Sequence, residues 1–345
     1  MADFQPDGHP VDTIVTVERA LADDNREMEV ERVERAGEIS ARFLDNIETV
    51  VYGKREEIKL VLTALICGGH VLLEDVPGTA KTMLARAIAG SIEGATTSRI
   101  QCTPDLQPTD VTGLSIFDQR SRDFEFRPGP IFTNVVLVDE INRATPKTQS
   151  ALLEAMNESA VTVESERRPL PEPFMVVATQ NPVEYLGTYP LPESQMDRFF
   201  FRLSLGYPAA DEEKMLLRRG GTERVLQAIP AVLGPAQVLA LQDETEKVAV
   251  SDALLDYLHA LVRATRQTAE LRLPVSTRGA QALFRATQAY ALLQGRGYAT
   301  PDDAQAVAEP VLAHRILSVS SDGFGAGGRE REIVRRILGQ VPVPV

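Results

Sequence analysis

Lys81 and Thr82 close the run Asp75-Val76-Pro77-Gly78-Thr79-Ala80-Lys81-Thr82, which lies between an apolar stretch, His70 to Glu74, and a helical one, Lys81 to Ile92. A loop in that setting can cradle phosphate. Backbone N–H groups at a helix N-terminus favour anions, Lys81 can reach terminal phosphates, and the Thr82 hydroxyl can bind Mg²⁺. The strict pattern G-x-x-x-x-G-K-[ST] fails, because Asp75 and Ala80 replace its two glycines. Alanine is tolerable at position 80 if it sits in the helix's first turn, whereas Asp75 puts a negative charge beside a phosphate site. Taken alone, the run also fits an ordinary strand-to-helix turn with a surface lysine.

Val135 to Val138 is a four-residue apolar run that ends in Asp139-Glu140. Buried strands seldom end in two acids without a cation to satisfy. Here Asp139 would hold a Mg²⁺ shell and Glu140 would orient or deprotonate a water. A solvated acid pair at a strand end is the plainer alternative, and the upstream lysine loop weighs against it. Phe174 to Ala178 is another apolar run, and it delivers Asn181 to the same edge of the sheet, where ligands of open α/β sheets bind. As a lone residue Asn181 is more often a turn former. Arg198, in Asp197-Arg198-Phe199, and Arg278, in Ser276-Thr277-Arg278, are individually surface arginines until something groups them.

The elements that must position these groups alternate. Strand-like runs at 70–74, 98–102, 135–138, 174–178 and 199–205 are separated by helical patterns such as 81–92 and 146–157, as in a parallel sheet covered by helices. Two excursions read as antiparallel hairpins: Gly113 to Pro130, where Phe124 and Phe126 alternate with Glu125 and Arg127, and Ala160 to Leu170. After Tyr207-Pro208 strand signals fade and helical patterns follow at 211–220, 235–247, 251–266, 277–294 and from 301 onward. The expected organisation is an acidic extension over residues 1–30, an α/β core over 31–208 and a helical unit over 209–340.

The 345 residues leave room for two domains, and 43% hydrophobic with 25% charged residues fits a soluble folded protein. Against 36 Lys and Arg stand 49 Asp and Glu, a net charge of -13 that would repel a phosphate backbone, so nucleic acid is not the expected partner. The two cysteines, Cys67 and Cys102, lie in apolar or strand-like sequence and fit buried thiols of a reducing compartment. No apolar run is long enough to span a bilayer, and the N-terminus lacks a leader-like pattern, which together predict a cytoplasmic protein.

These pieces in this order resemble the AAA+ ATPases, with a P-loop NTPase core followed by an α-helical lid. The wording Leu73-Glu74-Asp75-Val76-Pro77-Gly78, with Asp139-Glu140-Ile141-Asn142-Arg143-Ala144, is similar to the MoxR family. Lys147 to Met156 and the segment from Gln180-Asn181-Pro182 through Leu191-Pro192-Glu193 to Asp197-Arg198-Phe199 strengthen that likeness, which covers roughly residues 35 to 335. The family tolerates aspartate and alanine in its phosphate loop.

The resemblance implies ATP and Mg²⁺ as cofactors, with Val76 to Thr82 as Walker A (Val76, Pro77, Gly78, Thr79, Ala80, Lys81, Thr82) and Asp139 and Glu140 as Walker B. Asn181 would be sensor 1, Arg278 sensor 2 on the lid, and Arg198 an arginine finger reaching the neighbouring subunit's nucleotide. Val51, Tyr52 and Gly53 fall where the adenine pocket begins. The hairpins at about 113–130 and 160–170 look like a helix-2 insert and a pre-sensor-1 hairpin facing a ring's pore or face. A homo-oligomeric ring, a hexamer, and a chaperone-like role on protein clients, often von Willebrand factor A domain proteins, are further implications. The alternatives are a nucleotide-dependent scaffold with little turnover and a DNA-acting motor, since related insert-bearing AAA+ proteins include helicases and chelatase subunits.

Overall fold

The computed structural model describes residues 30–75, 78–180, 188–219, 223–320 and 328–344. The expected N-terminal extension over 1–30, apart from residue 30, and the site residues Val76, Pro77 and Asn181 therefore lie outside the described residues. A first helix, α1 (30–48), leads into α2 (Arg55–Ile66) and then into the sheet.

Among the described residues the central sheet has five strands. They are β1 (Val71–Glu74), β2 (Thr97–Gln101), β5 (Val135–Asp139), β8 (Met175–Gln180) and β9 (Phe201–Leu203), in the spatial order β2-β5-β8-β1-β9 and all parallel. Alternate residues divide between two cores. Val71, Leu73, Val135, Leu137, Met175 and Val177 face one set of buried side chains, and Leu72, Val136, Val138, Val176 and Ala178 face the other. Burial on both faces explains why these strands read as unbroken apolar runs.

Parallel strands need crossovers, and α3 (Lys81–Gly90) and α5 (Pro146–Glu158) supply two of them, each starting where the sequence predicts. Thr145 caps α5 through its hydroxyl, with Pro146 in the first helical position. The excursions form antiparallel ladders, β3 (Gly113–Asp118) with β4 (Asp123–Pro128) and β6 (Ala160–Val163) with β7 (Glu166–Pro169). Ser115 donates to Glu164 at 2.7 Å and the Arg168 guanidinium lies 3.9 Å from the Phe126 ring centre, so the two hairpins lean on each other.

Beyond residue 208 run α7 (Ala210–Arg219), α8 (Glu223–Gln227), α9 (Pro235–Lys247), α10 (Asp252–Gln267), α11 (Thr277–Leu293), α12 (Pro301–Leu312) and α13 (Gly328–Gln340). The short helices α4 (Pro108–Thr112) and α6 (Glu193–Met196) belong to the core half of the chain. Sequence reading missed a small antiparallel ladder among the C-terminal helices, β10 (Leu271–Leu273) with β11 (Leu317–Ser318). Two or three residues are too few to show a two-residue period. No described helix is long and apolar enough to cross a membrane.

Candidate nucleotide site

Strand β1 carries the chain to Asp75, and α3 begins at Lys81, so Asp75 and residues 78–80 sit at the carboxyl edge of the sheet. Ala80 is not in the first turn of α3, where sequence reading puts it. It is the N-cap, in the left-handed region at φ 61°, which is where the usual motif has glycine. Its methyl group is tolerated there at a cost of roughly 1 kcal/mol. The Lys81 ammonium donates to the Asp75 carbonyl at 2.9 Å. Burial lowers the Lys81 pKa, and the charges of Asp75, Asp139 and Glu140 oppose that shift.

The Asp75 carboxylate does something the motif could not reveal. It is buried and accepts hydrogen bonds from the Ser204 hydroxyl at 2.8 Å, the Leu205 amide at 2.6 Å and the Gly206 amide at 3.1 Å. The charge that looked hostile to a phosphate is compensated by the chain leaving β9, and it staples that chain to the loop.

Strand β5 ends with the two acids. Asp139 is 8% exposed; its Oδ1 accepts from the Thr179 hydroxyl at 3.1 Å and its Oδ2 from Arg99 Nε at 2.7 Å. Glu140 adopts φ 56°, and its Oε2 accepts from Arg143 at 2.9 Å and Gln101 at 3.2 Å. Thr179 also accepts the Glu140 amide at 2.9 Å, so one buried hydroxyl sets both neighbours. Gly78 to Met83, Arg99, Gln101, Asp139, Glu140 and Thr179 together line a cavity of about 340 Å³. The Thr82 hydroxyl and the Asp139 carboxylate are hard oxygen donors of the kind Mg²⁺ takes, and Lys81 supplies the cation for a phosphate.

A second cavity, of about 480 Å³, adjoins the first through Gly78, Thr79, Ala80 and Met83. Val51 and Tyr52 line it, with Lys54, Tyr207 and Glu213. Gly53 is not among its lining residues. A Cβ there would lie about 2 Å from the Glu212 carboxylate, so the position serves that close approach. The two cavities side by side offer a polar compartment and a more apolar one, as a nucleotide's phosphates and base would need.

Arg198 and Arg278 line neither cavity. Arg198 Nη1 donates to the Leu153 carbonyl in α5 at 3.1 Å, and Arg278 is exposed in the first turn of α11. Asn181, the residue after Gln180, lies outside the described residues. Sequence reasoning missed Arg99, Gln101 and Thr179. The signal for the first two was present, since Arg99 and Gln101 alternate with buried Ile100 on β2, and register pairs Gln101 with Asp139. Which strand neighbours β5 is a matter of topology that spacing alone does not fix.

Residues 70–201 match the model of the ATPase family associated with various cellular activities, and residues 263–337 match that of the AAA lid domain. The uncharacterized protein YeaC of Bacillus subtilis is 49% identical over 304 residues, 88% of this chain and 94% of that one. Chaperone MoxR1 of Mycobacterium tuberculosis is 38% identical over 312 residues, 88% of this chain and 82% of that one. A crystal structure of a candidate ATPase from Cytophaga hutchinsonii superposes with a TM-score of 0.83 at 35% identity, covering 93% of this chain and 99% of that one. With its phosphate loop, its paired acids and relatives spanning nearly its whole length, this chain belongs to the MoxR family of AAA+ ATPases.

Proposed function

We propose that the protein binds ATP with Mg²⁺, hydrolyses it as a ring oligomer, a hexamer, and uses the cycle to remodel or activate protein clients in the cytoplasm. The observation that carries the reading is the meeting of Lys81, Thr82, Asp139 and Glu140 in one cavity at the carboxyl edge of a parallel sheet. Lys81 and the backbone N–H groups of Val76, Gly78, Thr79 and Ala80 hold the phosphates, beside Pro77, which has none to give. Thr82 and Asp139 would hold the metal, which when bound would neutralise charge on the phosphates. Glu140 takes up or orients the proton of the attacking water, and Asn181 positions that water. Val51 and Tyr52 receive the base.

Arg278 belongs to a lid over residues 209–340, closing on the core over 31–208. Arg198 acts on the neighbouring subunit's nucleotide, consistent with its place outside both cavities. A finger supplied in trans is worth about 10³ to 10⁵ in rate, which would make hydrolysis depend on assembly. The hairpins β3–β4 and β6–β7 are the helix-2 insert and the pre-sensor-1 hairpin, and Phe117 and Phe124, exposed side by side on the first, would meet the client. The name of the Mycobacterium tuberculosis relative, a chaperone, supports a protein client, and a von Willebrand factor A domain protein is the class we favour.

Steady-state turnover tests the reading. We expect activity that rises with protein concentration, vanishes in Lys81→Ala and falls steeply in Glu140→Gln while ATP still binds. Undiminished turnover in Arg198→Ala would remove the trans assignment. ATP binding without any turnover in the native protein would make it a nucleotide-dependent scaffold instead.

A further inference from the structure

Asp197 to Phe200, the segment that carries Arg198 from α6 to β9, is gripped from the C-terminal half of the chain. Arg315, just beyond α12, is buried, its side chain 3% exposed. Its Nε donates to Asp197 Oδ1 at 2.7 Å. Its other nitrogens reach the carbonyls of Phe199 at 2.7 Å, Phe200 at 3.1 Å and Asp197 at 3.4 Å, and that of Val311 in α12. His314, which burial keeps neutral, adds a 3.0 Å hydrogen bond to the Phe199 carbonyl. Within this segment one guanidinium thus binds the carboxylate of Asp197 and the carbonyls of Asp197, Phe199 and Phe200, on both sides of Arg198.

The remaining Asp197 oxygen, Oδ2, accepts from the Ser276 hydroxyl at 3.1 Å. That hydroxyl also caps α11 by accepting the Gly279 amide at 3.0 Å, so the contact falls two residues before Arg278. A Cβ on Gly279 would come within 2.9 Å of Arg315 Cδ, which means the first turn of α11 packs directly on the Arg315 side chain. Asp197 is therefore fixed on both oxygens, by Arg315 and by the start of the helix bearing Arg278. Past β9 the same chain is stapled to the phosphate loop through Asp75.

We propose that Arg315 is a positioning residue that, with Asp197 and Ser276, locks Arg198 to the first turn of α11, so that Arg198 and Arg278 move as one piece. The inference rests on the reading of Arg198 as the group serving a neighbouring subunit. Under it, a shift of the lid in one subunit repositions the arginine presented to the next. An arginine displaced by about 1 Å can lose roughly 10²-fold in rate, so the effect of loosening this joint falls on turnover.

The test is a double-mutant cycle in the full-length oligomer, with turnover measured on labelled ATP and affinity on a fluorescent ATP analogue. Arg315→Lys keeps the charge, but a single ammonium cannot reach the spread of oxygens that the fork does. We expect it to lower turnover by roughly 10²-fold with analogue affinity unchanged. In the Arg198→Ala background the same substitution is expected to cause no further loss, because its effect runs through Arg198.

Ser276→Ala removes one of the two contacts on Asp197. It should give a smaller loss that also disappears in that background, and it carries the test if Arg315→Lys does not fold. A loss that multiplies with that of Arg198→Ala overturns the proposal and leaves the reading of Arg198 intact. Full turnover in Arg198→Ala alone overturns both.

Discussion

Asp75 Oδ2 accepts the Leu205 amide at 2.6 Å, joining the start of the phosphate loop to the chain just past the sheet's edge strand. The obvious repair of the motif, Asp75→Gly, is therefore expected to harm the protein. It removes three hydrogen bonds to a buried charge and leaves the Leu205 and Gly206 amides unpaired, a loss of roughly 2–4 kcal/mol. Urea unfolding curves measure it, and weaker binding of an ATP analogue should accompany the loss.

Ala80 calls for the opposite outcome. At φ 61° its Cβ is strained, so Ala80→Gly should stabilise the fold by about 1 kcal/mol or slightly less, since glycine also loosens the unfolded chain. Ala80→Val should lower the melting temperature. Equal midpoints for all three forms in thermal unfolding would contradict the left-handed assignment.

Glu140 is held by Arg143 and Gln101 from two sides. Changing it to Gln removes its basicity with little change in shape, and the Arg143 pair is partly exposed, so stability should move by less than about 1 kcal/mol. Turnover should fall by about 10² to 10⁴, the range for loss of a general base. Retained affinity for an ATP analogue alongside that fall separates chemistry from binding.

His70 predicts a pH effect on folding. Burial lowers its pKa from 6.5 to about 4. Its Nδ1 accepts the Val176 amide at 3.0 Å while Nε2 donates to the Met156 carbonyl at 2.8 Å, and a second ring proton would face an N–H. The unfolded chain binds the proton more readily, so stability is present above pH 6.5 and drains as pH falls towards 4, by on the order of 3 kcal/mol. Buried His314 acts in the same direction. Denaturation midpoints across that range should show the slope, and His70→Phe, though less stable at neutral pH, should flatten it.

The elements around the nucleotide cavity were legible because their physics is local. Buried parallel strands leave continuous apolar runs, helical patterns start at Lys81 and Pro146, and Lys81-Thr82 and Asp139-Glu140 sit at a helix start and a strand end where charge needs a partner. The amino-acid sequence by itself determined the order of the strands along the chain, the phosphate loop and the paired acids.

Tertiary structure decided which groups meet. That Thr179 bridges Asp139 and Glu140, that Arg99 and Gln101 share their cavity, and that Asp75 answers to Ser204 and Leu205 all follow from the strand order β2-β5-β8-β1-β9. Arg315 lies 118 residues from Asp197, and no spacing rule connects them. Their contact depends on packing α11 and α12 against the core, where a buried guanidinium must find oxygen acceptors whatever their distance along the chain.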